Sequence, residues 1–365
     1  MKFSKVLGCA ITVLFVAATL ASLSLAQDET TAKVKVRWRM PTSFPTVLDN
    51  LHGGGVMLTE RVSALTDGGF KITPYAAGEL LPAFGVLEGI QTGSVEAGYS
   101  GGFYYLGKNP SLLFDTVVPF GMTPRQHYAW MMEGGGLEMM REVYAEFNTI
   151  NIPCGNTGAQ MGGWFRKPID SVDDIKGLRI RAAGLTGAIY ADLGAVPQQI
   201  PPTDLYPAME RGALDAVEFV GPYDDERLGF HKVAKYYYSP GVLEAGTSFS
   251  LMVNKDSYEA LPSSYQAALQ SACAEVNSRT LARYDDLNVK ALRRIVNGGV
   301  ELRAWNEDIM IAMKESADNV MGKMAEDSAQ FAAIYKKWKD YRDSQLLWTS
   351  VNDTAAENFL IRNTK

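Results

Sequence analysis

Leu178-Arg179-Ile180-Arg181, then a helical run from Gly187 to Leu193, then Ala216-Val217-Glu218-Phe219: this is the stretch that decides the fold. The first four residues alternate apolar and charged, so Leu178 and Ile180 share one face of a strand and Arg179 and Arg181 the other. Residues 205–211 carry a second helical pattern, and residues 216–219 read as a short buried strand. Strand, helix and strand in turn predict parallel sheets flanked by helices, an α/β fold. The pattern extends in both directions. Residues 34–40 alternate strictly and read as a strand, and residues 49–66 carry helical spacing at Leu51, Val56, Leu58, Val62 and Leu65. Residues 70–75, 97–100, 163–165 and 248–253 read as further strands, and residues 85–91 as a helix. After Leu261-Pro262 the chain turns helical. Residues 263–297 form one long pattern and residues 306 to about 342 another, neither broken by proline. With no low-complexity linker and no internal repeat, two lobes are expected to exchange strands.

The start of the chain has its own logic. Lys2 and Lys5 precede an apolar run from Val6 to Leu20, and small residues at Ser24 and Ala26 follow. That order predicts a signal peptide over residues 1–26, cleaved near Ala26, and so an exported, periplasmic protein. The apolar run is short for a bilayer crossing of about 20 residues. Val6-Leu7-Gly8-Cys9 resembles a lipid-attachment box, but Cys9 comes before most of the apolar run. The leader carries two lysines and no acid, so the formal net charge of −6 becomes −8 without it. An acidic chain lacks the basic face that nucleic-acid binding needs, and any anion site must be built locally. Cys154 and Cys273 remain outside the leader. The sequence allows a disulfide between them, or two buried apolar thiols.

Catalytic signatures are missing. The three histidines, His52, His127 and His231, have no second His or Cys at metal-ligand spacing. There is no Gly-x-Ser-x-Gly elbow, phosphate loop or dinucleotide fingerprint, so the chain is read as no enzyme. Tyr223-Asp224-Asp225-Glu226 is expected to be a solvated acidic turn or helix start, where carboxylates suit the helix N-terminus. Three other features point to a binding site. Gln160 is a lone amide among glycines that let a backbone approach a ligand closely. Arg181 ends its strand where ligands gather in open α/β sheets, and a guanidinium there grips a carboxylate with two hydrogen bonds; the alternative is two surface arginines. Glu218 sits between apolar residues, and a lone buried carboxylate needs a partner, a proton or a cation.

In order along the chain, Gly155-Asn156-Thr157-Gly158-Ala159-Gln160-Met161-Gly162-Gly163-Trp164-Phe165, Lys176-Gly177-Leu178-Arg179-Ile180-Arg181 and Val217-Glu218-Phe219-Val220-Gly221-Pro222-Tyr223-Asp224-Asp225 resemble the substrate-binding subunit of TRAP transporters. The branch most similar binds 2-oxo and 2-hydroxy monocarboxylates. Ala76-Ala77-Gly78-Glu79-Leu80, Gly107-Lys108, Val118-Pro119-Phe120-Gly121 and Lys235-Tyr236-Tyr237-Tyr238-Ser239-Pro240-Gly241 fit in order and spacing. The resemblance implies a two-lobed periplasmic binding-protein fold. Lobe I would take residues 34–155 and 245–285, lobe II residues 156–244 and 286–335, and residues 336–365 a C-terminal helix and tail. It implies a small acid such as pyruvate or lactate held by Arg181, with a sodium or calcium ion between ligand and protein. Gln160, Glu218 and the Phe219 backbone carbonyl would hold that ion, an all-oxygen set that suits hard cations. Tyr105 is a further ligand-binding candidate, and Tyr104 and Phe44 are candidate lining residues. Glu244 is a further candidate for the metal. The partners implied are the integral-membrane permease subunits and, through the C-terminal helix with Phe331, Tyr335, Trp338, Tyr341, Leu347 and Trp348, a second copy of the chain. Two departures stand out: the family often has tryptophan at Phe219, and residues 240–246 lack the aromatic and proline common after this Pro-Gly. The rival reading is a secreted metal-dependent enzyme acting on a 2-oxo acid.

Overall fold

A computed structural model describes residues 35–364; the expected leader and its cleavage point lie outside them. Among the described residues no helix is long and apolar enough to cross a membrane.

One larger sheet in each lobe and a separate two-stranded ribbon organise the described residues. Strands β1 (Val36–Pro41) and β2 (Phe70–Tyr75) pair, and Thr42 bridges to Tyr99 in β3 (Ala97–Ser100). β3 belongs to a three-stranded sheet with β4 (Thr149–Asn156) and β10 (Ser248–Asn254), in the order β3-β10-β4. The second sheet has six strands, ordered β11-β9-β5-β8-β6-β7. Its members are β5 (Gly163–Phe165), β6 (Arg179–Arg181), β7 (Val196–Gln198), β8 (Ala216–Val217), β9 (Tyr236–Ser239) and β11 (Glu301–Ala304). After the second sheet has received β9, the chain returns to place β10 in the middle of the first; it then crosses again to place β11 at the edge of the second. That is the strand exchange expected from a chain with no linker.

The expectation of parallel sheets holds only in part. β6 pairs parallel with β7 and β8, and β9 with β11. β10 runs antiparallel to both its neighbours, and β5 to both of its own. β5 and β10 are each the first strand after the chain changes lobe, but β11 also follows a crossing and pairs parallel with β9. β4 escapes a sequence reading because Pro153 interrupts its pattern. The register shifts at Phe249/Ser250, which pair with Gly155 and Pro153, so Cys154 bulges out of the ladder.

Each lobe buries its own apolar face. Met40, Leu58, Val62, Phe70, Val86, Leu87 and Ile90 are fully buried in the first, and Trp164, Ile180, Ile189, Leu205, Met209 and Tyr237 in the second. The Ser263–Asn297 helix ties them together. At one end Cys273 is disulfide-bonded to Cys154 of β4 and Thr280 Oγ1 accepts from Asn156 N at 3.0 Å. Further along, Tyr284 donates to Asp224 at 2.5 Å and Arg294 pairs with Glu226 at 2.6 Å. The second helical pattern is not continuous as expected. It divides into Glu307–Asp327 and Ala329–Val351 at Ser328, whose extended backbone and hydroxyl cap the second helix at Phe331 N. Phe331 and Trp338 pack against Phe114, with ring centroids 5.0 and 6.2 Å away. Beyond them Leu347, Trp348, Val351, Phe359, Leu360 and Ile361 are exposed, the last three on a final helix, Asp353–Asn363.

Candidate functional site

Three short segments of the second lobe converge on one point. β6 ends at Arg181, β8 hands over to Glu218, and residues 157–162 lead into β5. Glu218 N donates to Arg181 O at 2.9 Å, continuing the β6–β8 ladder one residue past the strand, and Met161 N donates to Val220 O at 3.0 Å. Two glycines make this approach work. Gly163 has φ +108°, and a Cβ there would lie 2.9 Å from Val217 O; a Cβ on Gly241 would lie 2.8 Å from Gln160 O. The glycines therefore admit neighbouring backbone, whereas the sequence suggested close approach to a ligand.

The result is a cavity of about 300 Å³ between the lobes. The first lobe contributes Phe44, Leu51, Phe103, Tyr104 and Phe249, and the second Arg181, Ala183, Phe219 and Val220, with Gln160, Glu244 and Thr247 on the crossings. A second cavity of about 230 Å³ adjoins it, lined by Tyr190, Glu218, Trp305 and Met313 among others; Glu244 lines both. One wall is thus aromatic and apolar, and the other carries the charges.

Arg181 is 2% exposed. Nη1 donates to Glu218 O at 2.6 Å and stands 4.0 Å from Glu218 Oε2; Cζ lies 5.2 Å from the Phe219 ring centre. The alternative of two surface arginines fits Arg179 alone, which is exposed and paired with Asp215 at 2.6 Å. Gln160 is 6% exposed, and its Nε2 donates to Thr157 Oγ1 at 3.0 Å and Thr247 Oγ1 at 2.8 Å. Those two bonds fix which way the amide faces and leave Oε1 without a partner. Glu218 is 3% exposed, and neither of its carboxylate oxygens has a hydrogen-bond partner. Glu244 is better provided: Thr186 and Thr247 hydroxyls each donate to it at 3.2 Å.

Burial, reinforced by the neighbouring Glu244 charge, pushes the Glu218 carboxyl well above the carboxylate range, with Arg181 pulling the other way. Burial pushes Glu244 up to about 7 against Arg181 and the two threonines. Two buried carboxylates face one guanidinium, and three carbonyl or carboxylate oxygens in the same wall are unsatisfied. Such a set costs several kcal/mol per ion as it stands. It fits a hard cation, which takes oxygen ligands and reverses the local charge logic.

The structure thus brings Arg181, Gln160, Glu218, Phe219 and Glu244 together. Tyr105 is placed elsewhere: it is buried, its hydroxyl lies 2.9 Å from Ser100 Oγ, and it does not line the cavity. Tyr104 lines it instead, because the two share one short 3-10 turn, Gly102–Tyr105, and face different ways. Thr247, Thr186, Phe103 and Phe249 were not foreseen; each is an unremarkable residue type in a segment with no pattern of its own. The acidic cluster at 223–226 does open a helix, Pro222–Leu228, but it is not solvated. Asp224 and Asp225 are fully buried, Asp224 receiving Tyr284 and Asp225 receiving Tyr237 and Trp164.

Comparison with known proteins agrees with this geometry. Residues 43–328 match the family described as DctP, bacterial extracellular solute-binding protein, family 7. A monocarboxylate 2-oxoacid-binding periplasmic protein of Nostoc sp. is 43% identical, over 98% of this chain and 99% of its own. A TRAP transporter solute-binding protein from Bordetella bronchiseptica, solved as a mixed-occupancy dimer with copurified calcium and picolinate in one site, is 44% identical. Its TM-score is 0.89, with 90% of this chain and 98% of that one covered. A TRAP periplasmic solute-binding protein from Pseudoalteromonas atlantica, solved with sodium and pyruvate, is 35% identical at TM-score 0.86, over 89% of this chain and 99% of that one. With the motif tracts, the two-lobed fold and the family match all in agreement, this chain belongs to family 7 of the bacterial extracellular solute-binding proteins, the DctP family.

Proposed function

We propose that this receptor works in the periplasm, capturing a small 2-oxo or 2-hydroxy monocarboxylate, of which pyruvate and lactate are the simplest, together with a sodium or calcium ion, and delivering it to the membrane permease subunits of a TRAP transporter. One observation carries the reading: Gln160 Oε1 and both Glu218 oxygens are buried without partners beside the Arg181 guanidinium. Arg181 takes the acid's carboxylate. The cation takes Gln160, Glu218 and the Phe219 carbonyl, and the acid's carboxylate and adjacent oxygen close a five-membered chelate on it. The calcium and picolinate bound in the Bordetella protein and the sodium and pyruvate bound in the Pseudoalteromonas protein support this chemistry. The paired carboxylates Glu218 and Glu244 are the feature a metal-dependent enzyme would use, but family membership favours a receptor that releases its ligand unchanged. The exposed apolar residues from Leu347 to Ile361 support a homodimer through the C-terminal helices, which light scattering measures directly.

Calorimetry of the protein lacking residues 1–26 tests the ligand assignment. Pyruvate or lactate should release heat only with sodium or calcium present. No heat with any short 2-oxo or 2-hydroxy acid, under either cation, overturns it.

A further inference from the structure

We propose that Asp49 is an interlobe latch: it holds the two lobes closed and sets ligand affinity without touching the ligand. Asp49 lies in the first lobe between Phe44 and Leu51, both of which line the cleft cavity. Its carboxylate is the meeting point of three residues from elsewhere. Tyr223 donates to Oδ1 at 2.8 Å and lies 3.1 Å from Oδ2. Arg283, on the helix that ties the lobes together, donates to Oδ2 at 2.7 Å. Arg227 stands 3.5 Å from Oδ1, donates to the Val47 carbonyl at 2.6 Å, and stacks over the Tyr223 ring with Cζ 5.5 Å from its centre.

The placement of these partners makes the cluster a latch and not a local brace. Tyr223 and Arg227 are one turn apart on the Pro222–Leu228 helix, which follows β8 and Glu218 by a few residues. The movement that seats Tyr223 on Asp49 therefore also brings Glu218 and Arg181 under Phe44, Phe103 and Tyr104. When the lobes part, Tyr223 and Arg227 swing off Asp49 while the Pro222–Leu228 helix stays held to the Ser263–Asn297 helix by Tyr284 on Asp224 and Arg294 on Glu226. Asp49 keeps water and Arg283.

The cluster is wet at its edge, since the Asp49 side chain is 35% exposed, so salt screens it and its strength is modest. Modest strength suffices for a latch. The apparent dissociation constant is the intrinsic one divided by the closed fraction, so each tenfold loss of closed state weakens binding tenfold.

The decisive experiment compares wild type, Asp49→Ala, Tyr223→Phe and the double variant. Nitroxide labels at Lys71→Cys in the first lobe and Lys232→Cys in the second report the interlobe distance in ligand-free protein lacking residues 1–26; both lysines are exposed, and Cys154 and Cys273, the cysteines that remain, are disulfide-bonded. Asp49→Ala should shift the distance distribution toward the open form and raise the dissociation constant for pyruvate with calcium roughly tenfold. Tyr223→Phe should do the same about threefold, and the double variant should be no weaker than Asp49→Ala alone, because both remove one interaction. Unchanged interlobe distances in Asp49→Ala, or effects of the two substitutions that simply multiply, would overturn the latch. The distance measurement needs no ligand, so a wild type that failed to bind pyruvate would sink the proposed ligand class while the latch was still judged on its own.

Discussion

Asp115 and Glu218 are both carboxylates removed from water, and the protein treats them in opposite ways. Asp115, in the first lobe, receives Tyr144 at 2.8 Å, Asn151 at 2.8 Å and Ser250 at 2.9 Å. Asp225, in the second, receives Trp164 at 2.9 Å and Tyr237 at 2.7 Å. Glu218 receives nothing. A buried carboxylate wrapped in donors has its charge compensated by the fold, and it welds together the elements that carry those donors. One left bare beside an arginine has its compensation deferred to something that arrives later. The number of donors, not the depth of burial, separates scaffold from site.

Removing the one fixed positive charge at the bare end should have the largest effect. Arg181→Ala leaves Glu218, Glu244 and the incoming carboxylate without a cationic side chain among them. Loss of a buried charge partner costs about 2–5 kcal/mol, so calorimetry with pyruvate and calcium should show no measurable binding. Unchanged affinity would remove Arg181 from the site.

The scaffold and the site should then part company in stability. Asp115→Ala strands three buried donors and should lower the unfolding free energy by about 2–4 kcal/mol, read from denaturant unfolding. Glu218→Gln removes a buried carboxyl to which the fold donates no hydrogen bond, so the ligand-free protein should be no less stable than wild type, while cation-dependent binding is lost. If Glu218→Gln destabilises as Asp115→Ala does, the distinction between the two kinds of carboxylate collapses.

Glu244 lies between these extremes, with two threonine hydroxyls and no more. One guanidinium faces two carboxylates plus the ligand's own, a balance that a divalent ion neutralises and a monovalent ion does not. Glu244→Gln should therefore weaken calcium binding about tenfold and leave sodium nearly unchanged. Parallel titrations with calcium and sodium chloride in the presence of pyruvate would show it; equal losses for both ions would make Glu244 a simple packing residue.

How much of this could be read in advance follows from what each feature depends on. Arg181, Gln160 and Glu218 stood out because each is a polar type misplaced in its local pattern. The long Ser263–Asn297 helix was legible because its apolar period is sustained over many turns. Tyr104 and Tyr105 were both candidates and only Tyr104 lines the cavity, since neighbours in a tight 3-10 turn have no period to tell them apart. The acidic cluster looked solvated because its compensating groups, Tyr237 and Tyr284, come from distant segments that a local pattern cannot associate with it. The break at Ser328 was missed although serine is a good N-cap, because apolar spacing resumes on both sides of it. Strand direction was misjudged where the chain changes lobe, a property of topology that no single segment carries.

The smallest expected effect is on pH dependence, and it separates the scaffold carboxylates among themselves. Burial pushes Asp224 up to about 7 and Asp225 up to about 6, in each case against the tyrosine that donates to it. Both folded values lie above the ordinary aspartate value of 3.8. The folded protein therefore holds these protons where the unfolded chain has released them, and the stability they confer is lost as pH rises through 6 and 7. His127 acts in the opposite sense over a lower window that overlaps this one near pH 6.5, and so offsets part of the effect. Burial lowers it to about 4 from 6.5, so the unfolded chain takes up its proton first and stability falls as pH drops from 6.5 toward 4. Glu244, pushed up to about 7, and Glu218 act in the same direction as the two aspartates, so the ligand-free protein should be more stable at pH 6.5 than at pH 8 by about 1–2 kcal/mol, a rise in melting temperature on the order of 2–3 °C. Of the two aspartates Asp224 should contribute the larger part, since its Oδ1 has no partner whereas Asp225 is donated to on both oxygens. Asp224→Asn should visibly shrink the difference between the two pH values, and Asp225→Asn should leave most of it in place. The reverse result would mean that a carboxylate's full set of donors matters less to its proton than the charges around it, and would weaken the same criterion by which Glu218 is assigned to the site.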